Sequence, residues 1–145
     1  MRKTIGDIIS IKGPDVLTVD AGATVLQALE KMAEYNIGAL VVTRQGTIVG
    51  MLSERDYTRK VLIQGRSSPT TSVEEIMSTQ VCYITPDMGV EDGLALMTEK
   101  RCRHLPVMDN EQMVGLVSIG DLVKAQIEEK EFIIEQLENY ITVGR

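Results

Sequence analysis

The sequence predicts an α+β fold built from two pseudo-symmetric β-α-β-β-α units followed by a terminal helix. Three observations carry that expectation. Ile48-Val49-Gly50-Met51-Leu52-Ser53-Glu54-Arg55-Asp56 returns 65 residues later as Met113-Val114-Gly115-Leu116-Val117-Ser118-Ile119-Gly120-Asp121. The register holds without a gap from Val16/Val81 to Thr58/Val123, and 11 of those 43 pairs are identical. Such a period signals two copies of one supersecondary unit, each too small to bury its apolar face alone. Within each copy the apolar spacing switches between strand and helix periods. Gly65-Arg66-Ser67-Ser68-Pro69 then breaks the pattern and reads as a connecting loop. The expected domains are residues 4–66, residues 67–124 and an amphipathic helix over 125–145.

Thr4-Ile5-Gly6-Asp7 and Ser72-Val73-Glu74-Glu75 each open a short helical turn, ending near Ser10 and Ser78. Ser72 and Glu75 have the spacing of a capping box. These openings match at an offset of 68, which places a three-residue insertion near Lys12-Gly13-Pro14. Val16 to Val19 and Val81 to Ile84 follow as short strands. Thr24 starts a helix whose Val25, Leu29 and Met32 form one buried stripe, repeated by Val90, Leu94 and Met97. Ala39-Leu40-Val41-Val42 and Leu105-Pro106-Val107 pair as hairpins with Thr47–Leu52 and Gln112–Val117, through turns at Gln45-Gly46 and Asp109-Asn110. A closing helix begins near Glu54 or Ile119. Pro106 lacks the N–H that a central ladder needs. Its strand is therefore an edge there, or its backbone faces something other than a strand.

Composition narrows the function. The chain has 145 residues, of which 43% are apolar, yet there is no Trp, one Phe and four Tyr, so the core is aliphatic. A net charge of −6 argues against general nucleic-acid affinity, which rewards clustered Lys and Arg. There is no apolar run of about 18 residues, and Met1-Arg2-Lys3-Thr4 lacks a signal-peptide pattern. The expectation is a cytoplasmic protein with reduced thiols. Beyond Lys124, Ile127, Ile134, Leu137 and Ile141 share one helical face with Lys130 in the seam. That helix folds onto its own domain or packs against a second copy of the chain.

The recurring polar pattern is Gly50-x-x-Ser53-x-x-Asp56 and Gly115-x-x-Ser118-x-x-Asp121, at a strand end and helix start. A helix N-terminus suits an anion such as phosphate. A serine hydroxyl can donate to a phosphate oxygen, and an ionised aspartate accepts from paired ribose hydroxyls. Ser-x-x-Asp is equally an ordinary helix cap. A duplicated fold duplicates its caps, so recurrence alone does not separate the two readings.

With the Asn36-Ile37-Gly38-Ala39-Leu40-Val41-Val42 and Arg103-His104-Leu105-Pro106-Val107 strands, the constellation resembles tandem cystathionine-β-synthase (CBS) domains, the Bateman module. The resemblance covers about Thr4 to Lys124. It implies a regulatory module that binds AMP, ADP, ATP, NAD or S-adenosylmethionine in two clefts between the repeats, works as a homodimer and signals to a partner protein. One cleft would use Leu116, Ser118 and Asp121 with Leu17, Ile37, Gly38 and Ala39, joined by Arg55. The other would use Met51, Ser53 and Asp56 with Cys82, Cys102, Arg103 and His104, and Arg101 lies near. The first is favoured, because Gly38 permits close backbone approach and Gly120, the counterpart of Arg55, brings no charge to the second. AMP is the first choice of ligand, with ATP or NAD as alternatives, and no cofactor is required. The alternative is a nucleotide-free dimerisation or docking module.

No metal is expected, since no carboxylate pair completes the Cys102-x-His104 pattern. A disulfide between Cys82 and Cys102 is conceivable where the two line one pocket. No catalytic residue is expected either: no nucleophile-and-base set or phosphate loop is visible. Enzymes with inserted CBS domains, such as IMP dehydrogenase, need a barrel that this length cannot supply.

Overall fold

The structure, a computed structural model, describes residues 2–13 and 15–143. Its elements run α1 (Ile5–Lys12), β1 (Thr18–Asp20), α2 (Val25–Tyr35), β2 (Ala39–Arg44), β3 (Thr47–Ser53), α3 (Glu54–Tyr57), a π-helical turn (Thr58–Leu62), α4 (Val73–Ile76), α5 (Val90–Lys100), β4 (His104–Asp109), β5 (Gln112–Ser118) and α6 (Ile119–Val143). They form two compact units, one of Val16–Val81, the other joining Met1–Asp15 to Cys82–Arg145. The openings of the two sequence repeats are thus exchanged. The helix that opens the first copy belongs to the unit of the second, and the reverse holds for α4. Pro14, part of the expected insertion, lies outside the described residues.

In the Val16–Val81 unit, β2 runs parallel to β1 and antiparallel to β3. Thr24 caps α2 reciprocally with Gln27, at 3.1 and 2.9 Å, each bond satisfying a donor that a helix start leaves open. The expected stripe is buried at Val25 and Met32, with Ala28 between them, and Leu29 packs at its margin. Val73 and Ile76 of α4 are completely buried in this core beside Leu40, Val42 and Leu52. Hydrogen bonds from Val73 to the Ala23 carbonyl and from Met51 to the Ser78 carbonyl tie the segment down. Burying one such aliphatic side chain stabilises by about 1.5–3 kcal/mol.

The other unit has a β4–β5 hairpin, α5, α6 and α1. Ile5 is fully buried with Ile84, Val107, Val117 and Leu122. The hairpin turn falls on Asn110 and Glu111, both at positive φ, one residue later than expected. The expected strand over Val81–Ile84 shrinks to a single bridge between Ile84 and Val107, and Pro106 is the reason. In the first unit the equivalent Val41 N–H donates to the Leu17 carbonyl at 3.4 Å. Proline has no such donor, so the bond that would hold Cys82 in the ladder cannot form. The Pro106 carbonyl still accepts from Ile84 N–H at 3.1 Å, and pairing resumes there.

α6 continues without a break through the boundary expected at 124/125. Leu122 and Ala125 are buried in the core, whereas Ile127, Ile134, Leu137 and Ile141 are all exposed. The expected seam is thus an open apolar face on this helix.

Candidate functional site

Each unit holds one copy of the recurring corner, built the same way. In the Val16–Val81 unit the hairpin register sets Ala39 opposite Ser53. The first N–H of α3, from Glu54, donates to the Gly38 carbonyl at 3.0 Å. Ser53 leaves β3 in an extended conformation and caps α3. Asp56 N–H donates to Ser53 Oγ at 3.2 Å, while Asp56 Oδ2 accepts from Ser53 N–H at 2.9 Å and Ser53 Oγ–H at 3.1 Å. Lys60 Nζ lies 3.5 Å from the other oxygen, Asp56 Oδ1, and donates to the Ile76 carbonyl at 2.9 Å.

In the second unit His104 stands opposite Ser118, and Ile119 N–H donates to the Arg103 carbonyl at 2.8 Å. Ser118 N–H donates to Asp121 Oδ2 at 2.8 Å, and Asp121 N–H donates to Ser118 Oγ at 3.1 Å. As at Ser53, the Ser118 hydroxyl also interacts with its aspartate, a contact that helps to lower the Asp121 pKa. Lys12 Nζ, from α1, donates to Asp121 Oδ2 at 2.6 Å and to the Leu116 carbonyl at 3.0 Å. The capping role of both Ser-x-x-Asp motifs is thus real, and each aspartate also meets a lysine.

The glycine of the pattern has a packing role. A Cβ on Gly50 would sit 2.7 Å from the Ser78 carbonyl oxygen and the Met77 sulfur, and one on Gly115 would sit 2.4 Å from Ile9 Cδ1. Both glycines let the exchanged opening segment of their unit lie directly on the strand.

Electrostatics differ at the second corner. Burial opposes ionisation of Asp121, but the Lys12 ammonium together with the Ser118 N–H and hydroxyl outweigh it and hold its pKa below the ordinary 3.8. Half-buried His104 is pushed below 6.5, chiefly by desolvation and then by Lys12; Asp121 opposes this and Arg103 adds to it. Cys82 and Cys102 pack partly buried against the same core, with their sulfurs 3.1 Å apart.

Of the other expected residues, Leu17 and Ile37 line the margin of the first core and Ala39 is buried. Met51 pairs with Ser78. Gly38, Arg55, Arg101 and Arg103 are exposed. Inside each unit the structure brings a strand entry to its own Ser-x-x-Asp: Ile37–Ala39 to Ser53, and Cys102–His104 to Ser118. Sequence reasoning missed Lys60 and Lys12. Lys60 stands four residues after Asp56, an ordinary helical pair that spacing could have found. Lys12 lies 109 residues from its partner, and no local pattern links them. Each corner offers a carboxylate acceptor, a serine hydroxyl and one lysine beside them, which is binding chemistry. Among the described residues no group of three or more His, Cys, Asp or Glu is placed to hold a metal.

The fold and these corners define a tandem pair of CBS domains. The CBS domain model matches residues 5–63 and 73–128, and the chain belongs to the CBS-domain family. It is similar to the CBS domain-containing protein CBSX3, mitochondrial, of Arabidopsis thaliana, at 39% identity over 97% of this chain and 73% of that protein. Among solved structures it resembles the CBS domain NE2398, with a TM-score of 0.83 and 43% identity over 88% of this chain and 99% of that one. It also resembles a hexameric CBS-CP12 protein from bloom-forming cyanobacteria, with a TM-score of 0.79 and 29% identity over 100% of this chain and 86% of that one.

Proposed function

We propose that this CBS pair is a regulatory module that binds an adenine nucleotide and passes the occupancy on to a partner protein. AMP is the first candidate, with ADP, ATP or NAD as alternatives. The observation that carries this reading is the corner at Ser118 and Asp121. An ionised aspartate there suits ribose hydroxyls, and a serine hydroxyl suits a phosphate oxygen. Lys12 supplies positive charge beside them. The grouping of these residues and Leu116 with Leu17, Ile37, Gly38, Ala39 and Arg55 is part of the proposal. The corner at Ser53 and Asp56 ranks second, with Met51, Cys82, Cys102, Arg103 and His104, because the counterpart of Arg55 for that grouping is the uncharged Gly120. The module is regulatory and not catalytic in this reading. A ligand that binds only the folded state adds about 2.7 kcal/mol of stability at a hundredfold excess over Kd. Adenine nucleotides should therefore raise the Tm, and guanine or pyrimidine nucleotides should raise it less. Equal, negligible shifts at millimolar ligand would reject the reading.

One observation favours an additional assembly role. The exposed apolar residues Ile127, Ile134, Leu137 and Ile141 on α6 suit a second copy of this chain, and the cyanobacterial neighbour is hexameric by its own description. A two-fold homodimer is the simplest closed form. The same face would serve the alternative, a docking module with no nucleotide. Among the described residues no helix is long and apolar enough to cross a membrane. The reading keeps a cytoplasmic location; the mitochondrial relative makes an organelle matrix the alternative that cell fractionation decides.

A further inference from the structure

We propose that Cys82 and Cys102 form a reversible two-electron redox site, which closes to an intramolecular disulfide on exchange with a small-molecule disulfide. The sulfurs come from separate segments yet lie 3.1 Å apart, and both are free thiols. A disulfide bond is about 2.05 Å long, so closure asks for a movement of about 1 Å.

The backbone on both sides is anchored. Cys102 N–H donates to the Met97 carbonyl at 3.1 Å, directly after the left-handed residue Arg101 that ends α5. Two residues beyond Cys82, Ile84 bonds both ways, to the Pro106 carbonyl at 3.1 Å and from Met108 N–H at 2.8 Å. The anchors thus lie at Cys102 itself and two residues beyond Cys82. The other unit has Leu17 and Ile37 at these positions, so an apolar wall alone needs no sulfur here.

In the exchange, the Cys82 thiolate attacks one sulfur of the oxidant, forming a mixed disulfide and releasing one thiolate that takes up a proton. The Cys102 thiolate then attacks Cys82 Sγ and expels the second. The protein pair loses two electrons and two protons, and the oxidant leaves as two thiols. Burial, and then the neighbouring Cys82, push the Cys102 thiol up to about 11. The thiolate is the attacking form in both steps, and capping Cys82 in the mixed disulfide removes its share of that rise, which leaves Cys102 for the second attack. Closure needs no bound nucleotide, although both cysteines also belong to the second proposed nucleotide grouping.

The test incubates the reduced full-length chain in glutathione buffers of increasing oxidised fraction, traps free thiols with a maleimide and weighs the intact protein. The expected product is a single-chain species that has lost two hydrogens, takes no maleimide and returns on treatment with dithiothreitol. Peptide mapping should join Cys82 to Cys102. Cys82→Ser and Cys102→Ser should each remove that species and leave one thiol or one glutathione adduct. Two glutathione adducts on the wild type would overturn the proposal. So would chains linked to each other, or two thiols still free where a small reference dithiol is fully oxidised.

Discussion

Lys12 Nζ sits 2.6 Å from Asp121 Oδ2, so a residue of the opening helix neutralises the aspartate of the second repeat's corner. The pair is partly exposed, at 42% and 27% of the two side chains, which limits its stabilising contribution to about 1 kcal/mol. Its larger consequence is chemical. It keeps Asp121 ionised and places a cation beside the acceptor proposed for the ribose.

Replacing Lys12 by Met should cost about 1 kcal/mol or less at neutral pH and raise the Asp121 pKa. The folded pKa lies below the ordinary 3.8. The stabilisation is therefore present above 3.8 and is lost as pH falls through the folded value. Urea titrations of wild type and Lys12→Met should diverge above that window and converge in strong acid. A difference that persists in acid would mean that Lys12 acts by packing alone.

His104 gives the opposite residue type the same sign. Its pKa is depressed below 6.5, so the unfolded chain binds the proton more readily. Its contribution is complete above 6.5 and fades as pH drops through the folded value. Because Lys12 is the second cause of the depression, Lys12→Met should move the His104 titration upward. An NMR titration of this single histidine reads both effects, and an unmoved midpoint in the variant would contradict the geometry.

The two recurring glycines should respond unequally to alanine. At Gly50 the new methyl meets the Ser78 backbone as well as Met77, whereas at Gly115 the atoms it meets most closely belong to the Ile9 side chain. Overpacking of this kind costs about 1–3 kcal/mol, with Gly50→Ala at the upper end and Gly115→Ala at the lower. Denaturation midpoints decide the order.

A chain cut after Ala125 keeps Leu122 and Ala125 in the core and should remain folded, while self-associating more weakly than the full chain. Light scattering across a dilution series is the measurement. A full-length monomer at tens of micromolar would refute self-association, and unchanged affinity in the cut chain would remove only α6 from the interface.

Much of this was legible because it is local. The hairpins and the Ser-x-x-Asp caps depend on spacings within a few residues, and the repeat is read by aligning the chain with itself. The exchange of α1 and α4 was not legible, because contiguity suggested that each opening stays with its own copy. Ile5 and Ile76 reveal their places only through the cores that bury them. The strand expected at Val81–Ile84 failed for a related reason. An apolar run reads as a strand, but pairing depends on a donor 24 residues away that Pro106 lacks. Lys12 and the contact between Cys82 and Cys102 are likewise products of tertiary packing. The pattern contains Gly50 and Gly115 without giving them a role, and the structure gives them to the exchanged segments.

The most direct test of the account is calorimetric titration of the wild type, Asp121→Ala and Asp56→Ala with AMP, ADP, ATP and NAD. Charge-assisted hydrogen bonds contribute about 1.5–3 kcal/mol each, and about 1.4 kcal/mol is one decade of affinity. Asp121→Ala should therefore weaken binding at least tenfold, and Asp56→Ala should weaken it less. A larger loss from Asp56→Ala would reverse the ranking of the two corners. A wild-type chain that binds none of the four at millimolar concentration would contradict the nucleotide reading and leave both aspartates as helix caps alone.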